Sequence, residues 1–302
     1  MTRRHVALAV ALVGALLLAR GLLPPAAGAA DPPAKLDGTA ALRHVERLVA
    51  LGPRPSGSPG AERARAYILG ELKRLGVRAE ARPFQGETPE GPVRMANIVA
   101  TLPGARPETI MIAGHYDTKL FREFRFVGAN DGGSSAALLL EMVRALSARP
   151  RRFTYSLVWF DGEEARVSWT DRDSLYGSRQ LAAELARART LPKAMVLVDM
   201  IGDRDLAIRR ETYSVPWLTD IIWSSAARLG YARHFLSDTM PVEDDHMPFL
   251  KAGVPSVLLI DFDYPPWHTA EDTVDKVSAA SLGVVGDVLL DALPAIELYL
   301  AR

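Results

Sequence analysis

Hydrophobic residues recur along this chain with two alternating periods, and those periods predict most of its elements. Steps of three and four residues over 40–49 and 60–75 mark helices with one buried face. Ser56 and Ser58 precede the second of these as candidate N-caps, and Gly76 closes it. The same period returns over 134–147, 175–188, 215–229 and 279–300. Between these stretches lie short apolar runs at 77–82, 96–102, 109–113, 153–160, 194–200 and 256–260, which read as strands. Strands that alternate with helices imply an α/β fold, a three-layer sandwich with a central, mostly parallel mixed sheet between helical layers. In such a sheet, chemistry collects beyond the carboxyl ends of the strands.

The first thirty residues follow a different pattern. Arg3 and Arg4 precede an apolar run over 6–19, which Arg20 ends, and an Ala-rich stretch over 26–30 follows. A basic start, an apolar core of about a dozen residues and a small-residue exit form the layout of a secretory leader. The chain is expected to be exported to the periplasm or beyond, with cleavage near Ala30 and no stable membrane association afterwards. Thr2-Arg3-Arg4 also raises the twin-arginine route. Residues 31–302 are expected to form a single catalytic domain acting as a monomer, because no linker, repeat or low-complexity run divides them.

Composition narrows the chemistry. Of 302 residues, 48% are hydrophobic and 24% charged, as in globular proteins. Lys+Arg and Asp+Glu both number 36, so there is no basic field for nucleic acid. The leader holds three Arg and no acid, leaving 33 basic and 36 acidic residues, a net of −3. The absence of cysteine excludes disulfides, thiolate metal sites and a cysteine nucleophile. Any metal must therefore rest on His and carboxylates.

Such residues cluster at the expected strand ends. The run at 109–113 leads into His115 and Asp117, that at 153–160 into Asp161, Glu163 and Glu164, that at 194–200 contains Asp199, and that at 256–260 precedes Trp267-His268. Asp131 sits in a Gly-rich loop before a helix. Taken singly, a strand-end acid is usually a helix cap and a Glu pair a solvated charge. Together, two adjacent Glu against a core edge are costly unless a cation neutralises them. Imidazole and carboxylate donors suit Zn²⁺. Adjacent side chains diverge, so one Glu can ligate while the other moves protons, but spacing alone leaves their order open.

The set His115-x-Asp117, Gly-Ala-Asn-Asp131-Gly, Gly-Glu163-Glu164, Asp199-Met-x-Gly202 and His268-Thr resembles the co-catalytic zinc aminopeptidases. The longer stretches Phe160 to Ala165 with Trp169, Asp173-Ser-Leu-Tyr-Gly-Ser-Arg179, Asp244-Asp-His-Met-Pro-Phe-Leu250 and Trp267-His268-Thr269 closely resemble the glutaminyl-peptide cyclotransferases, or glutaminyl cyclases. That resemblance covers nearly the whole chain after Val49. It implies one zinc held by Asp131, Glu164 and His268, Glu163 as proton shuttle, and Asp199 and Asp244 in an acid network beside it. It further implies that Trp169 and Trp267 wall a pocket for an amino-terminal Gln, which is converted to pyroglutamate with release of ammonia. It also implies a cis peptide bond after Asp131.

Tyr264 is the candidate for an aromatic that closes the pocket, although Asp261 and Asp263 beside it depart from the pattern. His115 matches a ligand in the aminopeptidases but not in the cyclases, so it does not separate them. His246 reads as structural. The charged stretch 122–125, Tyr116, Lys119 and Arg179 stay unassigned. The alternative is an exported two-zinc aminopeptidase. A non-catalytic binding domain on the same fold is disfavoured because no ligand or base position is replaced.

Overall fold

The structure, a computed structural model, describes residues 35–302. The expected leader lies outside them. In chain order the helices are α1 (Gly38–Ala50), α2 (Pro59–Arg74), α3 (Gly133–Ser147), α4 (Tyr176–Ala188), α5 (Pro216–Arg228), α6 (His246–Lys251) and α7 (Ala279–Leu300). The strands are β1 (Arg78–Thr88), β2 (Gly91–Leu102), β3 (Arg106–His115), β4 (Phe153–Phe160), β5 (Ala194–Asp199), β6 (Ile208–Glu211), β7 (Phe235–Met240) and β8 (Ser256–Ile260). Six of them form one sheet in the order β1-β2-β4-β3-β5-β8. The strands β4, β3, β5 and β8 run parallel, and the β1-β2 hairpin adds two antiparallel strands at one edge.

The two-residue period of the strands divides the core into the expected layers. Along β3, Ile110 and Ile112 enter one cluster while Met111 and Ala113 enter the other. The larger cluster receives Leu48 of α1, Leu139 of α3, Ile222 of α5 and Leu289 of α7. The smaller receives Leu181 of α4 and Phe249 of α6. Helix α7 is long and apolar enough by composition to cross a membrane, yet half of its residues are buried in this core.

Local chemistry sets the helix ends. Ser58 caps α2, its side chain accepting from the Ala61 N–H at 3.2 Å, and Pro59 follows at the first turn. Gly76 takes φ +69° just past the helix, a conformation that favours glycine. Ser56, the other candidate cap, instead donates to Asp161 at 2.8 Å beneath the site. The sheet edge differs from expectation: β1 runs to Thr88 and β2 starts at Gly91, well beyond the apolar runs. Only Gly86 and Met95 of this hairpin extension are buried, so it carries little hydrophobic signal. The β6-β7 pair and the six-residue α6 likewise went unpredicted, since β7 buries only Phe235.

Candidate active site

Each parallel strand delivers a functional side chain at its carboxyl end. Strand β3 ends on His115, β5 ends on Asp199, and β4 runs into Glu163 and Glu164. Past β8 the chain returns at Trp267 and His268, and Asp131 lies two residues before α3. Asp131 is the hub. One of its oxygens lies 3.2 Å from Nε2 of His115 and the other 3.3 Å from Nε2 of His268. His268 Nε2 is also 3.2 Å from Glu164, and His115 Nε2 is 3.1 Å from Asp199. Two donor triads therefore share Asp131: one with Glu164 and His268, the other with His115 and Asp199. The ligand atoms of each lie within 4.8 Å of one another.

The electrostatics fit a cation. Burial drives the carboxyl of Glu163 well above its usual range, and Glu164, Asp244 and Asp245 add to this against the opposing pull of His115. Burial, with Asp131 close by, raises Glu164 to about 7. Burial alone would depress the His268 imidazolium, but hydrogen bonds to Asp131 and Glu164 hold it up at about 10. Burial would likewise raise Asp131, yet the two imidazoles hold it below the ordinary carboxylate range. Acids that burial penalises, facing imidazoles that share their charge, match the donor set of a divalent metal, which replaces the bridging protons when it binds.

A further ring of contacts fixes these groups. The carboxylate of Asp117 accepts the backbone N–H of Glu163 and of Glu164, at 3.2 and 3.4 Å, and lies 3.5 Å from Nδ1 of His115. Arg54 is fully buried, and its guanidinium donates to the carbonyls of Tyr116, Val127 and Gly128 at 2.9, 2.6 and 2.8 Å, tying two active-site loops together. Asp272, which sequence reasoning missed, accepts the N–H groups of Asn130 and Asp131 at 2.8 and 3.1 Å. The cis bond expected after Asp131 is not found. Every peptide bond among the described residues is trans, and Gly132 carries the chain through the turn with φ +74°. A side chain there would meet the Asp117 carbonyl at 2.5 Å.

Tyr264 requires a correction. It was expected to line the substrate pocket, but it is buried and its hydroxyl donates to Asp272 at 2.7 Å. It thus supports the Asp131 loop from behind. Phe262 takes the lining position instead, at the first outward turn after β8. Asp272→Asn is expected to weaken metal binding about tenfold, the usual effect of losing an outer partner. Competition with a chromogenic chelator measures this, and unchanged affinity would show that Asp272 does not position the ligand loop.

The acids open onto a cavity of about 480 Å³. Asp131, Glu163, Glu164, Asp199, Asp244 and His268 reach it, between Trp169, Phe262 and Trp267. Oδ2 of Asp244 is buried with no hydrogen-bond partner, and burial together with Asp199 raises its carboxyl strongly. Trp267 stacks on His268 with ring centroids 4.3 Å apart. Phe121 and Phe126 meet His268 edge-on at 5.6 and 5.9 Å. The unassigned stretch 122–125 thus lies between two aromatics that frame His268. His268 and Met200 both carry positive φ, +54° and +44°, strain of the kind that gathers at functional sites.

Other residues singled out in the sequence lie elsewhere or brace the loops. His246 is buried 3.2 Å from Glu211, and Tyr116 donates to Asp161 and the Ala96 carbonyl, each at 2.9 Å. Lys119 lines the cavity: its backbone N–H donates to Glu164 at 3.1 Å and its ammonium to the Ala165 carbonyl at 2.7 Å.

This fold and acid-rich site define a class, and the chain belongs to peptidase family M28, whose sequence pattern matches residues 97–293. Within that class it is a member of the glutaminyl-peptide cyclotransferases, and it is an enzyme. The glutaminyl-peptide cyclotransferase of Boiga irregularis is 33% identical, with 77% of this chain and 74% of the relative aligned. A glutaminyl cyclase from an Acidobacteriales bacterium is 42% identical and superposes with a TM-score of 0.85, covering 91% of this chain and 99% of that one. A leucine aminopeptidase precursor from Bacteroides thetaiotaomicron has the same fold, with a TM-score of 0.81 at 21% identity, covering 87% of this chain and 98% of that one.

Proposed function

We propose that this protein converts the amino-terminal Gln of peptides to pyroglutamate with release of ammonia, using one zinc ion held by Asp131, Glu164 and His268. The observation that carries this reading is the placement of a buried proton carrier, Glu163, beside that triad in an aromatic-walled cavity. The triad at the cavity is favoured over the one containing His115 because His115 is 1% exposed and does not reach the cavity, whereas a catalytic ion needs an open position facing substrate. In this reading His115 ties Asp199 to Asp131 as a charge partner. When bound, the metal supplies Lewis acidity to the γ-carbonyl of the substrate.

The chain's own residues do the rest. Trp169, Phe262 and Trp267 hold the Gln side chain folded back toward its α-amine, which favours ring closure through proximity. The α-nitrogen forms a bond to the δ-carbon, the carbonyl carbon of the side-chain amide, and the bond from that carbon to the amide nitrogen breaks. Glu163 takes a proton from the α-amine and returns it to the departing ammonia. Burial makes its carboxylate a strong base and, once protonated, a ready acid. The unpartnered oxygen of Asp244 accepts an N–H of the α-amine, and Asp199 maintains the network behind it.

The order of the leader, basic then apolar then Ala-rich, supports export to the periplasm or outside, and a site built within one chain supports action as a monomer. The reading is tested by ammonia release from a Gln-initiated peptide by the zinc-loaded enzyme, with a leucyl anilide as control. Rapid ammonia release with negligible leucyl hydrolysis is expected, and the reverse would favour the aminopeptidase. Trp267→Ala is expected to raise KM about tenfold with kcat within about threefold, since an aromatic wall positions substrate rather than reacting with it. Steady-state kinetics that showed kcat falling at constant KM would contradict that role.

A further inference from the structure

A second cavity, of about 430 Å³, opens beside the first and shares Trp169 and Glu243 with it. Ring closure makes no use of it, since the reaction involves only the first residue of the substrate. The remainder of the peptide must nevertheless leave the first cavity across its rim, and Trp169 and Glu243 are exposed at the rim that the two hollows share.

The walls of this hollow are largely apolar. Ala182, Ala183 and Ala186 of α4 form one side, with Leu175 before them, and Met247 and Pro248 of α6 form another. The three alanines leave the floor open. Its charges balance, Asp171 and Glu243 against Arg179 and Lys251, so no field of one sign selects a charged chain.

The partition between the hollows is held rigid. Buried Asp173 accepts the backbone N–H groups of Arg166, Val167 and Ser168 at 2.7, 2.8 and 2.9 Å. It also accepts the Tyr176 hydroxyl at 2.8 Å, and Arg179 donates to the Asp171 carbonyl at 2.6 Å. The loop bearing Trp169 is therefore tied to the first turn of α4. A preformed wall lowers the cost of ordering a bound peptide.

We propose that this second hollow binds the two or three residues that follow the amino-terminal Gln, and that it favours apolar side chains there. An extended chain advances about 3.3 Å per residue, so two or three residues span the breadth of a cavity of this volume. The inference rests on the cyclase reading and extends it to the remainder of the substrate.

The test compares Gln-Gly-amide, Gln-Leu-Leu-Gly-amide and Gln-Ser-Ser-Gly-amide as substrates of the zinc-loaded wild type and of Ala183→Trp and Ala186→Trp. Both alanines are exposed to solvent, so a ring at either fills the hollow without entering the core. In the wild type, kcat/KM for the leucine peptide is expected to exceed that for Gln-Gly-amide about tenfold, mainly through KM, because burying one leucine is worth at least that. The serine peptide is expected to show no such gain. Each Trp variant is expected to abolish the leucine gain while leaving Gln-Gly-amide within about twofold, since ring closure uses only the first cavity. Equal values for all three peptides in the wild type, or a leucine gain that survives both variants, would overturn the subsite and leave the cyclase reading standing. No ammonia from any peptide would overturn both.

Discussion

Glu163→Gln lowers kcat by about a hundredfold or more while zinc stays bound, the usual loss when a general base is removed. The expectation follows from two observations. Glu163 belongs to neither donor triad, so its amide leaves the ligand set intact. Its carboxyl is also buried among Glu164, Asp244 and Asp245 and so binds a proton tightly, which an amide cannot reproduce. Metal analysis alongside steady-state kinetics checks both halves. Loss of zinc from this variant, or near-normal turnover, would transfer the proton-carrying role to Glu164.

The second large effect is expected at the ligands. Asp131→Ala removes the carboxylate shared by both triads and leaves His115 and His268 without their common partner. It should reduce metal affinity by more than about a hundredfold, beyond what the loss of an outer partner costs, and activity with it. Glu164→Gln should also lower zinc content, because its oxygen belongs to the cavity triad. His115→Ala separates the two triads: it is expected to leave one zinc bound, held by Asp131, Glu164 and His268. Metal content after gel filtration decides the matter. Loss of all zinc from His115→Ala would move the ion to the deeper triad.

How much of this was legible in the sequence depended on burial. The strands at 153–160 and 256–260 match their apolar runs residue for residue, because every residue of the second and all but Ser156 of the first are buried. The β1-β2 extension and β7 were not legible, since strands that bury so few side chains carry little apolar pattern. Glu163, Glu164, Asp199 and His268 were found because each ends or follows an apolar run, Asp131 because it sits in a Gly-rich loop before a helix, and Asp244 only through the family resemblance; the structure brings all six to one cavity. Asp272 was missed because its function is to accept backbone N–H groups 141 and 142 positions away, a partnership without local pattern. For a related reason, Tyr264 was named for the pocket position that Phe262 fills. Which of two nearby aromatics faces a cavity depends on the turn after β8, and Asp261 sets that turn by accepting the N–H groups of Ala207 and Asp263, at 2.7 and 3.2 Å.

The claim at the centre is that the nucleophile is the substrate's own α-amine and that no water attacks. The most direct measurement runs the reaction on a Gln-initiated peptide in water enriched in heavy oxygen and weighs the product by mass spectrometry. Cyclisation by Glu163 and the Asp131-Glu164-His268 site should yield a peptide lighter by one ammonia and free of heavy oxygen. Heavy oxygen in a released free Gln, alongside a shortened peptide, or in an amino-terminal Glu would show that the site activates water and would contradict the cyclase mechanism.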